Sequence, residues 1–190
     1  MILFMIGSGI AAYLYGLAVC KGVLLDGMNK KVICFSFGAS ALWQIIVLAI
    51  GNLLAFKLHA MGITKSEYPV NAFACLMIFG ILAMRMFIKA IKNEPIEERR
   101  IKKGEFYRLI SGIFVAVGFD TFLTGLALGL LQTPVFTELF VLVILSAAGV
   151  IGGLYSGWRF GYGQRNSAYI LSGTFLLVGD FMLLLQYFRS

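Results

Sequence analysis

Six stretches of this chain run for about twenty residues with almost no charge: 2–20, 32–56, 69–88, 109–131, 135–157 and 168–187. A helix of ~20 residues crosses the hydrocarbon core of a bilayer, where irregular backbone cannot satisfy its polar groups. The spacing therefore predicts an all-α integral membrane protein with six transmembrane helices. Composition agrees, with 60% hydrophobic and 13% charged residues, against about 25% charged in soluble domains. The net charge of +7 would suggest nucleic acid in a soluble protein. Here most basic residues sit in loops, so the expected partner is the lipid bilayer and not nucleic acid.

Loop charges set the expected orientation. Thirteen of the sixteen Lys and Arg follow spans one, three and five, beginning with Lys21, Arg85 and Arg159. Lys57, Lys65 and Arg189 fall on the other side. The positive-inside rule then places those three loops in the cytoplasm and both termini outside the plasma membrane. Pro69 and Pro134 open spans three and five, where a missing N–H costs little. The N-terminus has no basic n-region, so residues 2–20 read as a retained span and not a cleaved signal. The polar segment 89–108, "KAIKNEPIEERRIKKGEFYR", divides the chain into repeats 1–88 and 109–190 and reads as a cytoplasmic linker. Three spans per half force the second half to run opposite to the first, the layout of inverted-repeat transporters. "YLYGLAVCKGVLL" from Tyr13 can be laid on "DTFLTGLALGLLQ" from Asp120, making those two residues pseudo-equivalent.

Asp120 is the residue this pattern does not explain. It stands inside "VAVGFDTFLTG", and an ionised Asp at the centre of a membrane helix costs about 2.5–3.5 kcal/mol. It persists there when paired, neutralised or useful, and a cation or proton site is the reading favoured here. Thr121 and Thr124 either join that site or bond their own helix's carbonyls. Asp180 either faces water or adds a second carboxylate to Asp120. Gln44 and Asn52 are read as interhelical hydrogen bonders, and Glu138 as a solvated group near the outer interface. Arg85 and Lys89 are expected to snorkel to the cytoplasmic headgroups. Gly149, Gly153, Gly157 and Gly161 recur every four residues, with Gly125 and Gly129 as a shorter set, and such stripes let helix backbones approach closely.

Other chemistry finds little support. Cys20, Cys34 and Cys75 lack CxxC spacing and read as small buried side chains. His59 is the single histidine, which excludes a bis-histidine haem. No His-paired nucleophile or phosphate-binding loop is present, so neither an enzyme nor a resident cofactor is expected. A homo-oligomer is left open.

The order and spacing of four segments resemble the MntP-type manganese efflux pumps, of the wider lysine-exporter superfamily, over essentially the whole chain. They are "AAYLYGLAVCKG", "VGFDTFLTG", "GVIGGLYSGWRFG" and "NSAYILSGTFLLVG". The resemblance implies a six-span cation exporter, with Asp120 as the metal-binding carboxylate and Tyr13, Thr121 and Thr124 beside it; Asp180 is the candidate that the residues alone add. The family's other acidic positions fall on Tyr13, Tyr169 and Lys89, and its second-span polar position near Ala41. Mn²⁺ prefers several hard oxygen ligands, so a degenerate scaffold protein and an exporter of another small solute stand as alternatives. A transmembrane thiol carrier would need a Cys in span four, and that span has none.

Overall fold

In a computed structural model the described residues are 2–24, 30–61, 68–92, 106–131 and 135–189. They form α1 (Ile2–Gly22), α2 (Lys30–Ala60), α3 (Tyr68–Ile91), α4 (Phe106–Leu130), α5 (Val135–Phe160) and α6 (Arg165–Arg189). A 3-10 turn, Gly161–Gln164, joins the last two. Each helix covers one expected span. Five are long and apolar enough to cross a membrane, and α4 adds the apolar stretch Val117–Leu130. Because α3 continues through Ile91, Lys89 is helical and is not part of a loop. Lys65, Pro134 and residues 93–105 of the basic segment lie outside the described residues, as do the side chains of Cys34 and Glu138.

The helices pack mainly across the two halves. α1 rests on α5 and α6, α2 on α4 and α5, and α3 on α6 and α4. The facing residues give the directions. Gly149 meets Ala11, Gly153 meets Tyr15 and Gly157 meets Val19, so α1 and α5 run parallel. Gly118 meets Trp43, Gly125 meets Leu48 and Gly129 meets Ala55, so α2 and α4 do likewise. In α6, Tyr169, Leu176 and Gly179 lie against Gly16, Gly9 and Ile6, so α1 and α6 are antiparallel. All three relations are what six spans of alternating direction require.

Small residues hold these pairs together because lipid offers apolar side chains no incentive to leave it. At Gly149, Gly153 and Gly157 the opposing atom is a backbone carbonyl oxygen of α1, with no room for a Cβ. Gly51 plays the same part against Phe122 and Gly125 at the α2–α4 crossing. Gly161 departs from the expected stripe. Nothing lies within 4 Å of its Cβ position, and its φ of +73° ends α5, a conformation that side chains with a Cβ resist. Hydrogen bonds then add local fastening, such as Ser172 donating to the Gly9 carbonyl at 2.7 Å and Cys75 to the Ala127 carbonyl at 3.0 Å. Cys20 and Cys75 are buried free thiols, as their apolar settings suggested. Phe4, Leu42, Ile46, Phe73 and Phe140 point outward, a surface suited to acyl chains.

Candidate functional site

Asp120 sits where α4 approaches α1 and α3. Its side chain is 5% exposed. α4 places it there by turning Thr121 and Gly125 toward α2 while presenting the adjacent face to the bundle interior. Arg85, from α3, forms an ion pair with Asp120 Oδ1. One helical turn further, Lys89 donates a hydrogen bond to the Tyr13 hydroxyl, and its ammonium lies 4.4 Å from the Tyr13 ring centroid. Tyr13 in turn packs against Tyr169, with ring centroids 6.0 Å apart. Asp120 also interacts electrostatically with Lys89 and Tyr13. Residues from α1, α3, α4 and α6 thus meet in one cluster.

The expectation that Arg85 and Lys89 reach the headgroups is overturned. Each finds an oxygen partner in the bundle, Asp120 for Arg85 and Tyr13 for Lys89, that an apolar helix surface could not supply. Spaced four apart on α3, they share one face, beside the buried stripe of Leu82, Met86 and Ala90. That adjacency was the available signal. A basic residue one step from a core stripe can point into the bundle as readily as along the lipid.

The other candidate residues divide. Tyr13 and Asp120 come together. The Thr124 hydroxyl donates to the Asp120 backbone carbonyl at 2.9 Å, so it is occupied by its own helix. Thr121 is buried, and its hydroxyl oxygen has no partner among the described residues. The same holds for Asp120 Oδ2 and Gln44 Oε1. Gln44 falls on the α2 face that meets α4, between the levels of the Trp43–Gly118 and Leu48–Gly125 contacts, which brings it level with Asp120. Asp180 lies elsewhere. It faces Gly80 on α3, and its neighbour Gly179 packs on Ile6. Ile6 precedes Tyr13 by two turns, roughly 10 Å along the helix axis. One Asp180 oxygen is buried without a partner among the described residues.

Chemically, the cluster holds one carboxylate against two cations. Among the described residues no group of three or more His, Cys, Asp or Glu could hold a metal. A divalent ion would find a single carboxylate oxygen not already bonded, with neutral oxygens nearby. A hollow of about 470 Å³ opens between α1, α5 and α6, lined by Ala11, Ala12, Tyr15, Gly149 and Leu171 among others. Tyr15, not Tyr13, borders it. Its lining is mostly apolar, and at its edge the Ser156 hydroxyl donates to Gln164 Oε1 at 2.6 Å.

Comparison with known proteins bears on where this cluster comes from. The profile of the Mntp family, described as "Putative manganese efflux pump", matches residues 26–184. A protein of Mannheimia succiniciproducens named "Putative manganese efflux pump MntP" is 22% identical over 180 residues. That alignment takes in 92% of this chain and 90% of the relative. No solved structure matches. Lys89 and Tyr13 stand beside Asp120, and Tyr169 packs behind Tyr13. The chain belongs to the Mntp family, as a divergent member.

Proposed function

We propose that this protein is a secondary transporter that exports a cation, manganese or a similar divalent metal, by alternating access. Asp120 is the ion-binding group, and Tyr13 and Thr121 border it. The observation that carries the reading is Asp120 itself, a carboxylate buried at the junction of three membrane helices with one oxygen unpartnered. Intramembrane carboxylates in such settings mark ion pathways. The name of the Mannheimia relative adds manganese as the cargo.

In this reading the helices form two inverted repeats, with both termini outside and the segment 89–108 in the cytoplasm. What supports the repeat is the pairing. Exchanging each helix with the one three places later carries α1–α5 into α4–α2, and both are parallel pairs crossed at glycines. Rocking one repeat against the other is then the motion that alternates access. The protein needs no cofactor and catalyses no covalent step.

A second reading, export of another small solute, is favoured by one observation: two cations share the cluster with one carboxylate. Cells lacking their own manganese exporter separate the two. The native chain is expected to lower cell manganese severalfold and restore growth in excess manganese, and Asp120→Asn to do neither at equal membrane abundance. No effect of the native chain would remove manganese and leave the second reading.

A further inference from the structure

Asp120 cannot hold a transported cation and Arg85 through the same oxygen. Arg85 has two features that a permanently sealed ion pair would lack. Its side chain is 37% exposed, so a way out of the cluster exists. Its guanidinium carbon also lies 5.4 Å from the centroid of the Phe119 ring, and that ring is exposed. The guanidinium already lies over this aromatic face while paired, so the ring can hold it when Asp120 is released. Arg85 and Asp120 belong to α3 and α4, which among the described residues show no glycine crossing like those of α1–α5 and α2–α4. The ion pair spans a slighter contact than those two.

Resting on the cation-export reading, we propose that Arg85 is a resident counter-ion of the Asp120 site. It holds the carboxylate when no cargo is bound, and cargo must displace it toward Phe119. Its return neutralises Asp120 while the empty carrier reorients. The physical need is plain. A carboxylate stripped of both cargo and counter-ion is costly inside a bilayer, and an empty carrier must pass through that arrangement on every cycle. Arg85 removes the cost without adding a ligand. Arg85 also sets selectivity, since a cation that binds Asp120 weakly fails to compete with a guanidinium tethered beside it.

The test is chemical modification of the purified chain by dicyclohexylcarbodiimide, which adds to unpaired carboxyls inside membranes. Peptide mass spectrometry reads Asp120 and Asp180 separately. Asp180, with a buried unpartnered oxygen, is the internal reference. In the native chain Asp120 is expected to react at least tenfold more slowly than Asp180. Arg85→Gln is expected to bring Asp120 up to the Asp180 rate, and Arg85→Lys to restore protection. An unchanged Asp180 rate reports that each variant is folded. Asp120 reacting as fast as Asp180 in the native chain overturns the proposal without reference to any variant. Added Mn²⁺ is expected to slow the reaction of Asp120 in Arg85→Gln. If it does not, manganese as cargo fails while the counter-ion role of Arg85 stands.

Discussion

Replacing Lys89 by glutamate is expected to tighten Mn²⁺ binding to the purified protein at least tenfold. Lys89 stands beside Tyr13 and interacts with Asp120, so its ammonium opposes any cation entering the cluster. The substitution turns that repulsion into attraction and supplies a second carboxylate, of the kind divalent ions prefer. Two unit charges about 6 Å apart at an effective dielectric of 20 interact by about 3 kcal/mol. Tenfold in affinity needs only ~1.4 kcal/mol, so the effect survives heavy screening. Titration calorimetry on native, Lys89→Glu and Lys89→Gln proteins checks it. The glutamine form should fall between the other two, because it removes the repulsion and adds no ligand. Equal affinities in all three would show that a divalent ion does not visit this cluster.

Gly153→Val is expected to have the largest effect on folding. A Cβ at Gly153 would stand 2.7 Å from the Ala18 Cβ and closer still to the Tyr15 carbonyl oxygen. Neither neighbour can give way, because one is α1 backbone and the other the Cβ of the buried Ala18. α1 and α5 must separate, and the loss spreads to Gly149 and Gly157 on the same stripe. Overpacking of this kind costs about 1–3 kcal/mol in soluble cores. Here the close approach is itself what binds the helices, so the expected result is little or no monodisperse protein. Gly38→Val is the control, since nothing lies within 4 Å of its Cβ position. Size-exclusion profiles and thermal unfolding in detergent compare the two. Equal behaviour would mean that the stripe is not the seam between α1 and α5.

The six helices were legible because hydropathy reports burial in lipid directly, one span at a time. The glycine stripe of α5 was legible for a related reason: periodicity every four residues fixes a helix face without knowing the partner. Its last member was not. Gly161 shares the spacing but ends the helix at positive φ, and spacing alone does not distinguish a packing glycine from a terminating one. The candidate site was half legible. Asp120 stood out by cost, and Tyr13 by its offset from Asp120. Sequence gives depth along a helix but not direction around it, and depth alone points Arg85 and Lys89 to the headgroups. Their inward turn depends on oxygens contributed by α1 and α4, far away in the chain. Asp180 shows the converse. A second acid in a second span invites pairing with the first, yet the antiparallel register of α6 sets it about two turns from the Tyr13 level.

Tyr13, Lys89 and Tyr169 give the cluster its present character. Together they set one cation and two neutral rings at one place in the bundle. In the proposed reading the arrangement is a cation site built around one carboxylate, Asp120, and its counter-ion, Arg85.

Manganese movement through the purified chain in sealed vesicles tests that description most directly. With Mn²⁺ outside and a fluorescent chelator inside, vesicles holding the native protein should fill faster than empty ones, and Asp120→Asn vesicles should not. Filling at the same rate in native, Asp120→Asn and protein-free vesicles would contradict the account, leaving Asp120 and Arg85 as a structural ion pair between α3 and α4.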